Sequence, residues 1–419
     1  KAGTLFCNTD LAKTYRRLVS DSKSAGGSRE HKIEAARNSW YRGFIAEAID
    51  KFCSTTKVLD TTGQHHAGLL CGDDLDRWQA TIEKPLTYDY HGYTLCKTGP
   101  WGQGPVALQH LALLNQFDLS QFKPEDPEFI HLLVETSKLA FADREAFYGD
   151  PNFVDVPIDA LLSSQYNANR KILIDSEASL LLRPGQIPGY DREAVTPTID
   201  ASSLETPGAG EPTVSSAIDV MTRGERRGDT CHLDVIDRWG NMVSATPSGG
   251  WLSSSPVIPE LGFPLTTRGQ MFWLDENAAA SIEPGKRPRT TLTPSLALRD
   301  GEPYMVFGTP GGDQQDQWSL HVFLKHVHHG MNLQQSIDSP DFHTDHFPSS
   351  FYPRLSHPGQ VTIESRYGVS LINELRDRGH KVEVESDWSL GRCSAAVRDG
   401  NLLRAAANPR QMQGYAVGR

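Results

Sequence analysis

The run Gly228-Asp229-Thr230-Cys231-His232-Leu233-Asp234-Val235 sets a threonine at the head of an alternating apolar segment. The alternation continues through a turn at Asp237 to Asn241 and returns as Met242, Val243 and Ala245, the pattern of a hairpin. Such a threonine becomes a nucleophile if the peptide bond before it is cut. The freed α-amine, with an ordinary pKa of about 8, then stands beside the hydroxyl as its base. In an uncut chain the same threonine is an ordinary strand residue.

Three further motifs bear on that choice. In Thr246-Pro247-Ser248-Gly249-Gly250-Trp251 an antiparallel return brings Ser248 back toward Thr230, where its hydroxyl can orient the amine. A Ser-Gly-Gly loop chosen for turn chemistry alone reads the same way. Lys286-Arg287-Pro288-Arg289-Thr290-Thr291-Leu292-Thr293-Pro294 sets hydroxyls beside guanidiniums, which suits a substrate carboxylate or carbonyl, or a basic surface strand. Phe307-Gly308-Thr309-Pro310-Gly311-Gly312-Asp313 lies between a strand and a helix. Paired glycines there let backbone N–H groups approach a ligand at a helix start, the geometry an oxyanion hole requires; alone, the motif is also an ordinary loop.

The elements that must position these residues change character along the chain. The first part is helical. Thr9-Asp10 can cap a helix through Leu18-Val19, a second spans about 35–52, and a long one runs from Pro127 to Phe147. Pro85 to Leu95 alternates around His91-Gly92 as a hairpin. From about residue 195 to 229 Pro, Gly, Ser, Thr and acidic residues dominate, which predicts a mobile tail ending at the candidate nucleophile. Beyond it, Asp300-Gly301 and Asp399-Gly400 mark hairpins, with helices at 318–327 and 369–378. Strands, helices and strands in that order predict stacked sheets and helical layers rather than a doubly wound parallel sheet.

Composition excludes several classes. A formal charge of −11 over 419 residues argues against nucleic acid or an anionic membrane as partner. No apolar run approaches the roughly 18 residues that span a bilayer. The six cysteines are scattered without a CxxC pair and are expected to be packed thiols, Cys231 among them. No signal peptide follows Lys1, so the location stays open with the cytoplasm favoured. His326, His328 and His329, and the His343-Asp345-His346 loop, offer ligand-type groups, but a helix end and a polar loop account for them.

Together these residues resemble the γ-glutamyltranspeptidase family of N-terminal-nucleophile hydrolases. The resemblance starts at Asn8-Thr9-Asp10-Leu11-Ala12 and runs through Tyr41-Arg42-Gly43, Asp73-Asp74-Leu75, Ala140 to Arg144 and Gly149-Asp150-Pro151. It continues through Asp229-Thr230, Asp237 to Asn241, Lys286-Arg287-Pro288, Thr293-Pro294, Gly308 to Gly312 and Asn408-Pro409-Arg410. It implies an α+β, four-layer αββα sandwich. It also implies self-cleavage after Asp229 into a heavy part (1–229) and a light part (230–419) that form one domain. Thr230 matches the nucleophile, Ser248 its supporting hydroxyl, Thr290 and Thr291 the paired substrate hydroxyls, and Gly311 and Gly312 the oxyanion glycines. The partners implied are an amide substrate and either water or an acceptor amine; no cofactor or metal is implied.

The chain departs from the transpeptidase pattern at the acyl pocket. Gly250 stands where an asparagine is expected, Arg268 where a glutamine is expected, and Met271 where an amine-binding aspartate is expected. A thioether cannot accept an ammonium as a carboxylate does. The family also carries an earlier segment with a carboxylate-binding arginine, and this chain begins after it. The resemblance therefore points to γ-glutamyl or related amide bonds, with an acylase or oxamate-type amidohydrolase as the alternative and an unprocessed, inactive binding protein as the rival of another class. A conventional serine hydrolase is disfavoured, since Ser248 has no glycine two residues before it.

Overall fold

His91 and Gly92, like Asp300 and Gly301, both take positive φ (48° and 82°; 53° and 82°), as a two-residue reversal between twisted strands demands. The computed structural model describes residues 4–59, 63–196, 230–249, 255–351, 354–410 and 414–418. They group into two units, residues 1–83 with 251–267 and residues 84–250 with 268–419. The candidate cleavage residue Asp229, Gly250 and nearly all of the expected tail lie outside the described residues.

The smaller unit is built on helices α1 (Thr9–Ser24), α2 (Arg29–Tyr41) and α3 (Phe44–Thr55). Asn8, one residue earlier than expected, caps α1: its Oδ1 accepts the Leu11 N–H at 2.9 Å and its Nδ2 donates to the Gly262 carbonyl at 2.7 Å. The single helix expected over 35–52 is broken at Gly43, whose φ of −111° and ψ of −149° leave the helical region. Ile45, Ala48, Ile49 and Cys53 of α3 close on Ile258 and Leu261.

The larger unit holds a six-stranded antiparallel sheet. Its strands are β1 (Leu86–Tyr90), β2 (Tyr93–Lys97), β5 (Ser295–Arg299), β6 (Glu302–Gly308), β10 (Ser394–Asp399) and β11 (Leu402–Ala407), in the order β11-β10-β6-β5-β2-β1. Strands β3 (Leu233–Ile236) and β4 (Met242–Ala245) pair with each other. Strands β7 (Phe342–Thr344), β8 (Gln360–Glu364) and β9 (Lys381–Glu385) form a third sheet. Helices α4 (Pro105–Leu114), α5 (Pro127–Phe147) and α6 (Gln315–His329) supply the main core. Helix α4 is apolar around most of its circumference and every residue in it is buried, as such a helix must be.

Alternation sorts the two faces of β6. Met305 and Phe307 join the core with Leu108, Leu133 and Phe323, while Gly308 faces the β3–β4 hairpin. Helices, six-stranded sheet and hairpin thus lie in successive layers, a mixed helix-and-sheet architecture. The larger unit also straddles residue 230: β1, β2, α4 and α5 precede it and the other sheet strands follow.

Candidate active site

The register of the β3–β4 hairpin sets the site. Leu233 opposes Ala245, and the Cys231 N–H donates to the Pro247 carbonyl at 3.0 Å, so the pairing continues past the strands and puts Ser248 opposite Thr230. The Thr230 hydroxyl donates to Ser248 Oγ at 3.0 Å, and Thr230 is 8% exposed. Period two turns Thr230, His232 and Asp234 to one face. That face is keyed to the six-stranded sheet. The His232 ring occupies the space where a Cβ on Gly308 would sit, and Ser394 Oγ donates to Asp234 at 3.0 Å. His232 is fixed from both ring nitrogens, by Thr246 Oγ1 at 2.8 Å and Asp234 at 3.0 Å. The opposite face, Cys231, Leu233 and Val235, is exposed, so Cys231 is not the packed thiol expected of it.

Gly308 ends β6 and leads into the glycine turn. Gly311 has φ +141° with the Trp318 ring 2.6 Å from where a Cβ would be, and Gly312 has φ +53°. Any side chain at Gly311 is excluded by both backbone and space. The turn runs through a short 3-10 segment, Gly312–Gln314, into α6. Buried polar contacts hold it. Asp313 accepts from Arg144 and from Ser350 N–H (2.8 Å) and Oγ (2.6 Å), and Gln103 Nε2 donates to the Gly312 and Asp313 carbonyls at 3.4 Å. Arg144 also donates to Gln103 Oε1 at 2.9 Å. Burial opposes the Arg144 charge, but Asp313 and Glu145 outweigh it and raise its pKa.

The expected substrate hydroxyls separate. Thr291 is fully buried and its Oγ1 accepts from Arg268 Nη1 at 3.4 Å, whereas Thr290 Oγ1 accepts the Leu292 N–H at 3.2 Å. The Thr290 backbone is pinned between the Trp101 carbonyl (3.1 Å) and the Gln103 N–H (2.9 Å). Arg268 opens the 3-10 segment Arg268–Met271 and is 7% exposed. Its Nη2 donates to Ser248 Oγ at 2.6 Å, and Nη1 also lies 3.6 Å from Met271 Sδ. Thr230, Ser248, Arg268 and Thr291 therefore form one hydrogen-bonded chain.

Two supports lie outside the site residues expected from the sequence. Arg354 donates to the Gln270 (3.2 Å) and Phe272 (2.7 Å) carbonyls and so grips the turn that carries Arg268. Burial, and then Arg289, pulls the Arg354 pKa down to about 10, so it stays charged at neutral pH. The His232–Asp234–Ser394 link was accessible in principle, because alternation sets His232 and Asp234 on the Thr230 face. Away from the site, His131, Glu135 and His380 place ligand-type atoms within 4.8 Å of one another. Glu135 there already accepts from Lys138 and Arg183, and the two histidines bond each other at 2.8 Å. His326 and His328 are taken up by Tyr304 and Tyr90, and His343 by Asp345.

Residues 1–418 match the γ-glutamyltranspeptidase family. The chain belongs to that family. Its relatives there include hydrolase proenzymes. Over its full length it is 50% identical to the solved structure of LmbA2991HD, with a TM-score of 0.89 and 70% of that chain covered. It is 28% identical over 383 residues to the glutathione hydrolase proenzyme of Bacillus subtilis, across 91% of this chain and 56% of that protein. It is 29% identical over 423 residues to the oxamate amidohydrolase proenzyme of Klebsiella pneumoniae, across 100% of this chain and 66% of that protein. The chain thus spans 56% to 66% of the length of these two relatives.

Proposed function

We propose that this chain is the catalytic portion of a self-processing amidohydrolase, able also to pass its acyl group to an amine, with Thr230 as nucleophile. The observation that carries the reading is the Thr230 hydroxyl seated on Ser248, at the head of a strand, in a family whose named relatives are proenzymes. Cleavage between Asp229 and Thr230 frees the Thr230 amine. The hydroxyl then attacks the substrate carbonyl carbon and its proton passes to that amine, while the new oxyanion takes N–H groups of the Gly311-Gly312 turn. One such donor contributes about 3 kcal/mol. The C–N bond breaks as the leaving amine receives the proton, which leaves an acyl-threonine ester. Water, or an acceptor amine, attacks the ester and restores the hydroxyl. Heavy and light parts remain together as the working enzyme.

The γ-glutamyl group is the reading suggested by glutathione hydrolase relatives, and an oxamate- or acylase-type donor is the one favoured by Met271 and Arg268. Intact-mass measurement tests the shared mechanism. The expected result is two fragments joined at Asp229/Thr230 in the wild type and one undivided mass in Thr230→Ala. A Thr230→Ala chain that still divides there sinks the assignment.

A further inference from the structure

The glycine turn is held by groups that lie before residue 230 in the chain. Gly311 and Gly312 have no side chains to fix them, and both stand at positive φ, +141° and +53°. Their peptide planes therefore depend on what grips the turn from its far side. A planar trans peptide points its N–H opposite to its carbonyl. The Gly311 carbonyl accepts the Gln314 N–H at 3.0 Å, which turns the Gly312 N–H the other way, out of the turn. The Gly312 and Asp313 carbonyls are both met by Gln103 Nε2, at 3.4 Å each. Gln103 is 1% exposed. Its amide cannot be reversed. Oε1 accepts from Arg144 at 2.9 Å, and a guanidinium offers only donors, so the amide nitrogen must face the turn.

Asp313 is the second grip. Its Oδ1 accepts from Arg144 and from Ser350 Oγ (2.6 Å), and its Oδ2 from the Ser350 N–H (2.8 Å) and Ser349 Oγ (3.4 Å). Both oxygens are engaged, so the residue next to Gly312 has one place to sit. Its charge matters as well. A bare carboxylate beside Gly312 would oppose an oxyanion forming at the turn, and Arg144 offsets it in a buried setting where such interactions are strongest. Arg144 is itself stiffened by Glu145 and by the Pro348 carbonyl at 3.3 Å.

Resting on the Thr230 mechanism above, we propose that Gln103 and Arg144 are positioning residues for acyl transfer, which aim and electrically shield the Gly311-Gly312 turn through the Gln103 amide and the Asp313 carboxylate. They act through the turn, not on the substrate. Both come from the part of the chain before residue 230, while the turn and Asp313 come from the part after it. The portion that lacks the nucleophile thus has a direct share in the rate.

The test uses processed protein with γ-glutamyl, glutaryl and oxalyl anilides, taking the one that the wild type hydrolyses fastest. Gln103→Met removes the amide and keeps the volume. Its kcat, counted per Thr230 that acylates by intact mass, should fall about ten- to hundredfold, less than the loss of a whole oxyanion donor. KM should stay within about threefold, because the turn meets charge that forms only in the transition state. Asp313→Asn should behave alike, and the double variant should be little worse than the worse single one, since both act on one turn. A purely structural role would reduce how many Thr230 acylate and leave kcat per site as it was. That result, a KM that rises with kcat unchanged, or fully additive losses overturns the proposal and leaves the Thr230 mechanism standing. A second arm needs no turnover. In undivided Thr230→Ala, adding Gln103→Met should speed amide hydrogen exchange in a peptide covering residues 309–315 by at least about tenfold, while residues 318–327 of α6 keep their rate. Unchanged exchange at the turn, or equal gains in both peptides, refutes the clamp. A wild type that hydrolyses none of the three anilides refutes the Thr230 mechanism and the share in the rate with it, and exchange then decides the clamp alone.

Discussion

Gly308→Ala tests how the Thr230 strand is fastened. A Cβ at 308 would meet His232 Nε2 at 2.8 Å and Nδ1 at 2.9 Å, inside any van der Waals contact. The ring cannot swing aside freely, since Thr246 and Asp234 hold both its nitrogens. Overpacking of this kind costs about 1–3 kcal/mol, and each hydrogen bond given up adds about 1 kcal/mol. The expected total is about 2–4 kcal/mol, a melting temperature lower by roughly 2–5 °C in a chain this large. Because His232 is two residues from Thr230, division of the chain should also slow in the same variant. Calorimetry and the rate of appearance of the two bands measure these separately. A double-mutant cycle gives the decisive number. In a His232→Ala background the space is open, so adding Gly308→Ala should cost less than about 1 kcal/mol. Equal costs in the two backgrounds, or a wild-type melting temperature in Gly308→Ala, refute the contact as the fastening.

Met271→Asp places a carboxylate against Arg268 Nη1, which now lies 3.6 Å from the methionine sulfur. Hydrolysis of γ-glutamyl anilide should rise by roughly tenfold, about 1.4 kcal/mol; steady-state kinetics on γ-glutamyl and butyryl anilides show whether the gain is confined to the ammonium-bearing acyl group. Acid sensitivity has an identifiable contributor in His346, whose Nδ1 accepts the Gly359 N–H at 3.0 Å while its other nitrogen meets the Leu181 carbonyl at 3.1 Å. Burial, and then Lys138, pulls its pKa down to about 4, so it is neutral in the fold and takes a proton on unfolding below about pH 6.5. Its contribution is whole above pH 6.5 and lost as pH falls toward 4. Denaturant titrations at pH 7 and pH 4.5 should show a smaller difference for His346→Asn than for the wild type.

The site was legible in sequence as far as local rules reach. Turn pairs located the hairpins, and antiparallel return alone set Ser248 across from Thr230. The glycine pair before α6 was readable because a strand, a Pro-Gly-Gly and an apolar helix follow in order. What escaped was side-chain direction over long separations. Nothing in Thr290-Thr291 says which hydroxyl turns inward, because the backbone contacts with Trp101 and Gln103 decide it. Arg268 read as a substituted residue, and its contact with Ser248, twenty positions away, depends on the turn gripped by Arg354. The break at Gly43 was missed because apolar spacing continues across it, while a single extended glycine ends the helix.

The six-stranded sheet takes β1 and β2 from before residue 230 and its other four strands from after it, and buried pairs cross the same point: Lys97 with Asp316, Arg144 with Asp313, Arg289 with Glu145. If the chain is divided there, neither piece keeps a whole sheet or a neutral interior. Folding must then precede division, and division makes folding hard to repeat. A denatured, divided protein has to reunite two polypeptides, so its recovery would depend on concentration, whereas the undivided chain refolds as one molecule. Loss of activity on heating would be a kinetic event with little return, set by how slowly the joined pieces come apart.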